Sequence, residues 1–521
     1  MAEADLVLSR RGSRRALATI SAILFLTFLD TTIMSVALAD VQASLHAGVS
    51  SLQWVINGYA LVFASLMLAA GTLGDRLGRK RVMLAGVAIF AAGSAFGALA
   101  PNTDTLIAAR AIMGIGAAAC EPGTLSIIRH LYPERAARAR ALGVWAAISG
   151  LALAMGPVIG GVLVGLGGWR AIFWFNLGAG LLVLAAASVT VPESADPQSA
   201  RFDFAGFLLA PATLGTVSFA VILGETAGYA AGHIIALFAI GAAAAVLFLL
   251  AERRSKAPML DVAYLRKPAF SGSLAVAFAA YFGVFSIFFL SALYLQVVVG
   301  YSAYRTAALF VPMAVAMILA SAFAGRWVAR TGPRVPVMVG CLAAGVGMLL
   351  TDLSLSGRVT FVPLALSLML AGLGFGIAVV PVTSVALSVV PPEHSGMAAS
   401  ATTTSREVGS VVGVAVLGSL FNGRLTVDLT QRLTHLGVPA PFRSIVITAV
   451  ETGQVPSGGK GAAGAEQAYG PIVGKVIDAA YGAFHTGLSV SLIVAGGVIL
   501  ASGIIAWLTF AAPGAVLDAE D

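Results

Sequence analysis

Charged residues are scarce in this sequence. Aspartate, glutamate, lysine and arginine make up 11% of the 521 residues, whereas 59% are hydrophobic, and the mean hydropathy is +0.94. Soluble domains of this total length need more polar surface than the chain can supply. A helix that spans a membrane needs about 20 mostly apolar residues, and the sequence contains many such runs. The composition therefore excludes an ordinary soluble protein and predicts a polytopic membrane protein.

Other features are also missing, and each absence argues against a class of function. The two cysteines, Cys120 and Cys341, fall inside apolar runs, so we expect no structural disulfide. The six histidines lack the spacing of metal ligands, and GGKG at 458–461 lacks the other residues of a phosphate-binding loop. The net charge of +7 resides in short loops, which argues against nucleic acid as a partner. We therefore expect no metal, no cofactor, no ATP and no enzymatic activity.

Fourteen apolar runs can be placed along the chain. Short cytoplasmic loops carry an excess of lysine and arginine, and 21 of the 31 basic residues lie in cytoplasmic segments if the N-terminus is inside. An even number of spans then returns the C-terminus to the cytoplasm. The sequence thus predicts a multi-pass protein of the cytoplasmic membrane with both termini inside. The runs cover about 16–38, 52–74, 82–100, 105–128, 141–164, 169–191, 204–224, 231–251, 269–291, 305–325, 335–352, 359–381, 399–421 and 485–510.

A weak internal repeat relates two of the short loops. GTLGDRLGRKR follows the second run and GRWVARTGPRV follows the tenth, so that Arg76 aligns with Arg330 and Gly78 with Gly332. Two six-helix halves with an extra pair of helices between them would put these loops in equivalent positions, and paired halves recur in transporters. We therefore predict an all-α membrane protein with two six-helix bundles plus two extra transmembrane helices.

Three parts of the chain follow from this arrangement. Residues 1–191 form the N-terminal bundle, 192–268 the two extra helices with their cytoplasmic linkers, and 269–521 the C-terminal bundle. The last part includes a long extracytoplasmic loop, 422–484, with a Gly-rich, flexible centre between two mildly amphipathic flanks. This loop could pack over an external opening or be a tolerated surface insertion, and the sequence leaves both interpretations open.

Four stretches resemble signatures of one transporter family. GTLGDRLGRKRVML at 71–84 matches, position for position, the signature between spans 2 and 3 of the major facilitator superfamily. LDTTIMSVALADV at 29–41, LIAARAIMGIGAA at 106–118 and the glycine-rich fifth run are similar to signatures of its drug:proton antiporters, with substitutions such as Met113. The chain resembles the fourteen-span, EmrB/QacA-like branch over nearly its whole length. The resemblance implies the major facilitator fold and proton-driven multidrug efflux.

The resemblance also implies a set of residues for conformational gating. Asp75 is expected at the cytoplasmic N-terminus of span 13, near Ser395 and Gly396, where the helix dipole favours a negative charge; a solvated basic loop is the alternative. Small residues would let span 5 pack tightly against the opposite half, with ordinary helix packing as the alternative. The gating residues are Gly71, Asp75, Arg76, Gly78, Arg79, Gly156, Pro157, Gly160 and Gly161.

Asp30 interrupts the first apolar run, where an ionised aspartate costs roughly 2.5 to 3.5 kcal/mol. Span 1 runs outward and span 4 inward, so Asp30 and Arg110 both fall in the outer half and can form an ion pair. The arginine favours the charged carboxylate whereas burial disfavours it, so a conformational change can alter protonation. The resemblance implies the same proton-coupling role. The alternative is a static pair that only fixes helix packing.

Three polar side chains are candidates for substrate binding. Glu121 follows Arg110 by eleven residues, so both fall on nearly the same face of span 4, about 16 Å apart. Glu121 could hold a cationic substrate or a second proton, or it could pair with a basic residue near the inner surface. Glu407, beside Arg406 in span 13, is the second candidate. Asn57 in span 2 stands where some family members carry a carboxylate, so monovalent cations or neutral lipophiles would suffice as substrates.

Aromatic residues in span 9 form a further candidate surface. Tyr281, Phe285 and Phe288 are spaced at i, i+4 and i+7, which places them on one face of a regular helix. Such a stripe could line the cavity or could face lipid or the core. If it lines the cavity, its rings would accept flat lipophilic cations.

These observations predict a proton-coupled antiporter that exports lipophilic, cationic drugs by alternating access. A dedicated exporter of one metabolite, antibiotic or lipid stays open, because sequence does not reveal substrate breadth. A non-transporting receptor or lipid-modifying enzyme would need a sensor domain or catalytic residues, and neither is visible in the sequence. The expected partners are a drug-like substrate, protons and membrane lipids, and the protein is expected to be a monomer.

Overall fold

The computed structural model describes residues 10–194, 203–255, 261–356, 359–391, 395–451 and 471–510. Long helices dominate these ranges, because a chain in a bilayer must satisfy its backbone groups within each segment. The first seven helices are α1 (Arg10–Ile33), α2 (Leu38–Leu45), α3 (Val49–Leu77), α4 (Arg79–Ala98), α5 (Thr103–Leu131), α6 (Arg135–Gly167) and α7 (Arg170–Thr190). Two more follow, α8 (Phe204–Ala227) and α9 (Gly232–Arg254). The remainder are α10 (Pro268–Phe285), α11 (Ser291–Val297), α12 (Ala303–Thr331), α13 (Arg334–Leu355), α14 (Phe361–Ser388), α15 (Ser395–His435), α16 (Ala440–Glu451) and α17 (Pro471–Thr509).

Thirteen helical segments within the described ranges are long and apolar enough to cross a membrane. The helix in the place of the second predicted span, α3, is 29 residues long, but its apolar part, Ser51–Met67, is shorter than the others. Every predicted run falls on a helix of the structure. The all-α membrane fold is confirmed, with a number of spans close to the predicted fourteen.

The helices pack as two copies of one arrangement. In the first half, α5 packs against α3 and α4, while α1 packs against α6 and α7. In the second half, α14 packs against α12 and α13, while α10 packs against α15 and α17. Each contact in one half therefore has its equivalent in the other, as the repeated loops predict. The exact limits of the three parts, 1–191, 192–268 and 269–521, stay a prediction.

The repeated loops also share a backbone conformation. Gly78 follows α3 with φ +104°, and Gly332 follows α12 with φ +74°. Both angles lie in the left-handed region that glycine adopts without a steric cost. The two helices have the same length of 29 residues. The alignment of these glycines in the sequence thus corresponds to the same sharp turn in both halves.

Within the described ranges, two helix pairs make the most extensive contacts between the halves, and the extra helices lie beside one of these pairs. α3 packs against α15, and α6 packs against α12. α8 contacts both α3 and α15, and α9 packs on α8. The rings of Trp54 and Phe219 lie 5.3 Å apart, and the hydroxyls of Tyr229 and Ser419 are 3.1 Å apart. The extra pair therefore covers the α3/α15 seam.

The glycines of α6 divide between two neighbours. A Cβ added at Gly156 would overlap Thr32 of α1, and one added at Gly160 would lie 2.5 Å from the carbonyl oxygen of Ile33. A Cβ at Gly161 would instead lie 2.8 Å from the carbonyl oxygen of Ala303 on α12. Close approach to the opposite half is thus made at Gly161, whereas Gly156 and Gly160 bring α6 close to α1 within its own half.

The long loop contains more helix than its sequence suggests. α15 continues to His435, α16 follows it, and α17 begins at Pro471. Leu425, Leu429 and Leu433 recur every four residues along this extension of α15 and are buried. This apolar stripe explains why the flanks continue as packed helices. The Gly-rich centre of the loop lies outside the described residues.

The substitution Gly161→Leu is expected to disturb the α6/α12 seam, because even a Cβ at this position would overlap Ala307. Overpacking of this kind costs about 1–3 kcal/mol. Gly161 lies near the end of α6 that is predicted to face outward. Helices α6 and α12 should therefore separate more often at this outer end. A membrane-impermeant thiol reagent added from outside should therefore label Ser35→Cys, beside the central cavity described below, faster in the Gly161→Leu background.

Gly178→Leu on α7 is the matched control, because a Cβ at Gly178 meets nothing within 4 Å. Labelling of Ser35→Cys should be unchanged in that background. Equal labelling rates in the two leucine variants would contradict a role of the α6/α12 contact in closing the outer side.

Candidate functional site

A buried ion pair lies inside the N-terminal half. Arg110 Nη1 donates to Asp30 Oδ2, and both side chains are fully buried. Arg110 Nε donates to the carbonyl oxygen of Val55 at 3.0 Å, and its guanidinium stacks 4.5 Å from the centre of the Tyr59 ring. The other carboxylate oxygen of Asp30 accepts a bond of 2.6 Å from Asn176 Nδ2. The expected pairing of Asp30 with Arg110 is therefore present, and the aspartate has a second partner.

Four helices supply this network. Asp30 comes from α1, Tyr59 from α3, Arg110 from α5 and Asn176 from α7. The Tyr59 hydroxyl donates to the carbonyl oxygen of Thr27 at 2.9 Å, which ties α3 back to α1. Sequence reasoning did not single out Asn176 or Tyr59. The signal for Asn176 was its place as a lone amide in an otherwise apolar run.

A second polar cluster lies where the two halves meet. Glu121 on α5 and Glu407 on α15 are both buried, and Glu121 is close enough to interact electrostatically with Glu407 and Arg406. Arg406 turns away toward α14, where it donates to Thr383 Oγ1 at 2.5 Å and to the carbonyl oxygen of Val379 at 3.2 Å. Its guanidinium also lies 5.6 Å from the centre of the Tyr281 ring. The cluster and its neighbours thus combine one helix of the first half, α5, with three of the second, α10, α14 and α15.

Several buried polar side-chain atoms lack hydrogen-bond partners among the described residues. They include both carboxylate oxygens of Glu121 and of Glu407, the Tyr281 hydroxyl, and both amide atoms of Asn57 on α3. Leaving buried polar groups unpaired is costly, so such groups usually mark a place that water, an ion or a ligand can occupy. The three sequence candidates Glu121, Glu407 and Asn57 share this property.

The charges of the interface cluster do not balance. The cluster contains two carboxylates and one guanidinium, whereas Asp30 and Arg110 balance each other within the N-terminal half. When both glutamates are ionised, the cluster carries one excess negative charge. One proton or one monovalent cation would neutralise it.

Two cavities of about 20 Å³ lie at the centre of the molecule, each large enough for about one water molecule. Tyr281 lines both of them. The first is also lined by Thr31 and Thr32 of α1 and by Ser35, which follows α1, and the second is lined by Arg406. Pockets for drug-sized ligands have volumes of about 300–1,000 Å³. The halves must therefore separate at this place before a molecule of that size can bind.

The aromatic stripe of span 9 needs a correction. A π-helical segment, Ser286–Leu290, follows α10, so the regular spacing assumed for Tyr281, Phe285 and Phe288 does not continue through the span. The wider turn rotates the residues that follow it. Tyr281 and Phe288 nevertheless both line the first central cavity. The side chain of Phe285 lies outside what the structure describes.

The signature loop between α3 and α4 contacts the end of α7. Lys80 N donates to Glu193 Oε1 at 3.1 Å, and Arg79 N donates to the carbonyl oxygen of Ser194 at 3.0 Å. A Cβ at Gly78 would lie 2.8 Å from the same carboxylate. Glu193, which sequence reasoning missed, thus accepts from the first turn of α4. No signature of the sequence pointed to it.

The other gating candidates are only partly described. Gly71 lets α3 approach α5, since a Cβ there would lie 3.2 Å from Pro122. Pro157 lies within α6, and Arg76 is exposed in the last turn of α3. The side chains of Asp75, Ser395 and Gly396 lie outside what the structure describes, so the latch between them stays a prediction.

Comparisons with known proteins agree with this architecture. The model of the Major Facilitator Superfamily matches residues 20–414. The chain belongs to the Major Facilitator Superfamily. Multidrug resistance protein Stp of Mycobacterium tuberculosis is 36% identical over 427 residues, which cover 82% of this chain and 79% of Stp. Multidrug efflux pump LfrA of Mycolicibacterium smegmatis is 31% identical over 497 residues, 95% and 96% of the two chains.

Further relatives within the superfamily include a methylenomycin A resistance protein of Bacillus subtilis, 35% identical over 76% of this chain and 84% of that protein. Among solved structures, a bacterial homolog of the human lysosomal transporter Spinster, in an inward-facing and unoccupied conformation, superposes with a TM-score of 0.63. The match covers 97% of this chain and all of the other at 18% sequence identity, so it supports the superfamily fold alone.

The substitution Arg110→Leu is expected to destabilise this superfamily member strongly, because it leaves the Asp30 charge buried with only Asn176 as a partner. Removing one member of a buried pair costs about 3–5 kcal/mol. The double variant Asp30→Leu with Arg110→Leu should recover part of this loss, because it removes both charges. Thermal unfolding in detergent, followed by intrinsic fluorescence, measures the difference.

Arg81→Leu serves as the control. Arg81 pairs with Glu193 at 3.7 Å, but its side chain is 79% exposed, so its loss should change the unfolding temperature little. If the double variant is less stable than Arg110→Leu alone, the unpaired Asp30 charge is not the cause of the destabilisation.

Proposed function

We propose that this protein is a proton-coupled antiporter that exports lipophilic cations by alternating access between its two halves. The observation that carries the proposal is the unbalanced cluster of Glu121, Glu407 and Arg406, buried where the halves meet. The relatives Stp and LfrA are named for multidrug resistance and multidrug efflux, which agrees with this function.

Asp30 is the proposed proton carrier. Its charge is compensated by one guanidinium and one amide, which come from α5 and α7. If either helix moves away, the buried carboxylate loses compensation and takes up a proton instead. Each proton that moves inward through 100 mV supplies about 2.3 kcal/mol. Arg110 and Asn176 would in this way tie protonation to conformation.

The interface cluster is the proposed substrate site. Its one excess negative charge suits a monovalent cation, and Tyr281 and Phe288 offer aromatic faces beside the central cavity. Asn57 supplies an uncharged donor and acceptor on α3. The same excess charge would attract a proton when no substrate is bound. Substrate and proton would then exclude each other at the glutamates, which is a requirement of exchange.

The remaining features of the proposal follow from the expectations for the sequence. The protein acts as a monomer in the cytoplasmic membrane, with both termini inside, and uses the proton gradient without ATP, metal or cofactor and without enzymatic activity. The signature glycines of α6 and the loop with Asp75 gate the two sides.

A second candidate is an exporter dedicated to one compound. The methylenomycin A resistance protein, 35% identical, is named for a single antibiotic. Counterflow of a panel of labelled cationic and neutral compounds in proteoliposomes distinguishes a multidrug exporter from an exporter of one compound. Exchange of many unrelated cations supports the multidrug function, whereas exchange of one structural class supports the dedicated exporter.

The substitution Asp30→Asn is expected to abolish transport driven by a pH gradient, because the amide cannot carry a proton. Inverted membrane vesicles with an acidic lumen should show about a tenfold or greater loss of cation accumulation. Substrate counterflow, which needs no net proton movement, should persist. Normal accumulation in the variant would refute the proton assignment.

The variant Asp104→Asn, measured in the same vesicle accumulation assay, is the matched control for Asp30→Asn. Asp104 is an exposed aspartate in the first turn of α5, outside the network around Arg110. Vesicles with the Asp104→Asn variant should accumulate the cation at the same rate as vesicles with the unaltered protein. A loss in this control as large as in Asp30→Asn would mean that the assay reports a general charge effect.

Glu407→Gln and Glu121→Gln should each remove the excess negative charge of the interface cluster. The apparent affinity for a monovalent cation should fall about tenfold, equivalent to about 1.4 kcal/mol, while transport of a neutral lipophile changes little. Initial rates over a range of concentrations measure both. Glu134→Gln, at an exposed glutamate before α6, is the control. Equal losses for cation and neutral substrate would argue against an electrostatic role.

A further inference from the structure

An apolar groove lies on the surface of the N-terminal half, and all the residues that line it belong to that half. It has a volume of about 610 Å³ and lies between α1, α6 and α7. Ala18, Phe25, Val144, Phe175 and Ala179 are among its lining residues, and Arg14 lies at one end. Val144 on α6 is 44% exposed, so the groove is open to the surroundings of the protein.

The groove matches the dimensions of one membrane leaflet. Its residues on α1 extend from Arg14 to Leu26, which is twelve steps of 1.5 Å, or about 18 Å. The hydrocarbon core of a bilayer is about 30 Å thick, so one leaflet contributes about 15 Å. Arg14 belongs to the first turns of α1, at the end predicted to face the cytoplasm. An acyl chain of the cytoplasmic leaflet would therefore lie along the groove with its headgroup near Arg14.

The positive charge at one end of the groove determines which lipophilic molecules would bind there. Arg14 is exposed, and Arg11 and Arg15 are exposed on the same part of α1. Basic side chains at the cytoplasmic surface attract anionic phospholipids. A lipophilic cation, the substrate class proposed above, would be repelled at this end. The charge thus favours an anionic phospholipid over the transported substrate.

We propose that this groove binds one acyl chain of an anionic phospholipid from the cytoplasmic leaflet, with its phosphate at Arg14. The bound chain contacts α1, which carries Asp30, and α6, which meets α12 at the seam between the halves. The site is separate from the interface cluster, and its occupancy does not depend on the proposed transport function.

The test uses a fluorescent reporter inside the groove. A bimane label on Val144→Cys is specific, because the two native cysteines are buried. The labelled protein is reconstituted in vesicles that contain a small fraction of brominated lipid, either phosphatidylglycerol or phosphatidylcholine. Brominated phosphatidylglycerol should quench the label with about fivefold higher apparent affinity. Equal quenching by the two lipids would overturn the proposal.

Matched variants identify the contact. Arg14→Gln should reduce the preference for phosphatidylglycerol to near unity, whereas Arg11→Gln, at an exposed arginine that does not line the groove, should retain it. Ala18→Trp should reduce quenching by both lipids, because the larger side chain fills the groove. The proposal fails if Arg11→Gln and Arg14→Gln act alike, or if a lipophilic cation displaces brominated phosphatidylglycerol from the label. Since no transport is measured, loss of the proposed antiport function would leave this outcome unaffected.

Discussion

The buried ion pair of Asp30 and Arg110 is the interaction on which the N-terminal half depends. A carboxylate and a guanidinium removed from water are tolerated only when their attraction and further hydrogen bonds compensate for lost hydration. Here the compensation comes from Asn176, the carbonyl oxygen of Val55 and the face of Tyr59. Because these groups belong to α1, α3, α5 and α7, the electrostatic requirement holds these four helices in one arrangement as long as Asp30 is ionised. A half built this way can move as a unit against the other half, which alternating access requires.

The second constraint is the symmetry of the two seams and the feature that breaks it. α3 meets α15 as α6 meets α12, so either seam alone could open by the same kind of motion. α8, however, contacts α3 and α15 together, and the ring contact of Trp54 with Phe219 fastens it to the first of these. An extra helix that touches both sides of one seam resists lateral separation there. The α6/α12 seam instead depends on the absence of a side chain at Gly161.

Much of the fold could be predicted because a bilayer imposes a simple rule on sequence. Runs of about 20 apolar residues must be helices, so all predicted spans fall on helices. The alignment also predicted that Gly78 and Gly332 occupy equivalent positions, and in the structure both have a positive φ. Features that depend on tertiary contacts could not be predicted from the sequence. The Glu193 carboxylate accepts a hydrogen bond from the backbone N–H of Lys80, 113 residues away in the sequence. No sequence pattern near either residue predicts this contact. The π-helical segment after α10 inserts an extra residue in a turn of an otherwise uniform apolar run, which hydrophobic periodicity cannot detect.

The sequence predicted the pairing of Asp30 with Arg110, but not that Glu121 and Glu407 lie close together where the halves meet. Helical spacing predicted that Arg110 and Glu121 lie on nearly the same face of α5. In the structure, Arg110 is enclosed by helices of its own half, whereas Glu121 meets Glu407 across the interface. α3 also contacts α5 at both levels, through Tyr59 at Arg110 and Gly71 at Pro122 beside Glu121. A displacement of α5 that alters one level must therefore be accommodated by α3 at the other. In the proposed antiport, such a shared displacement would let protonation of Asp30 influence the interface glutamates without direct contact between them, since a close-packed helix pair transmits strain instead of absorbing it.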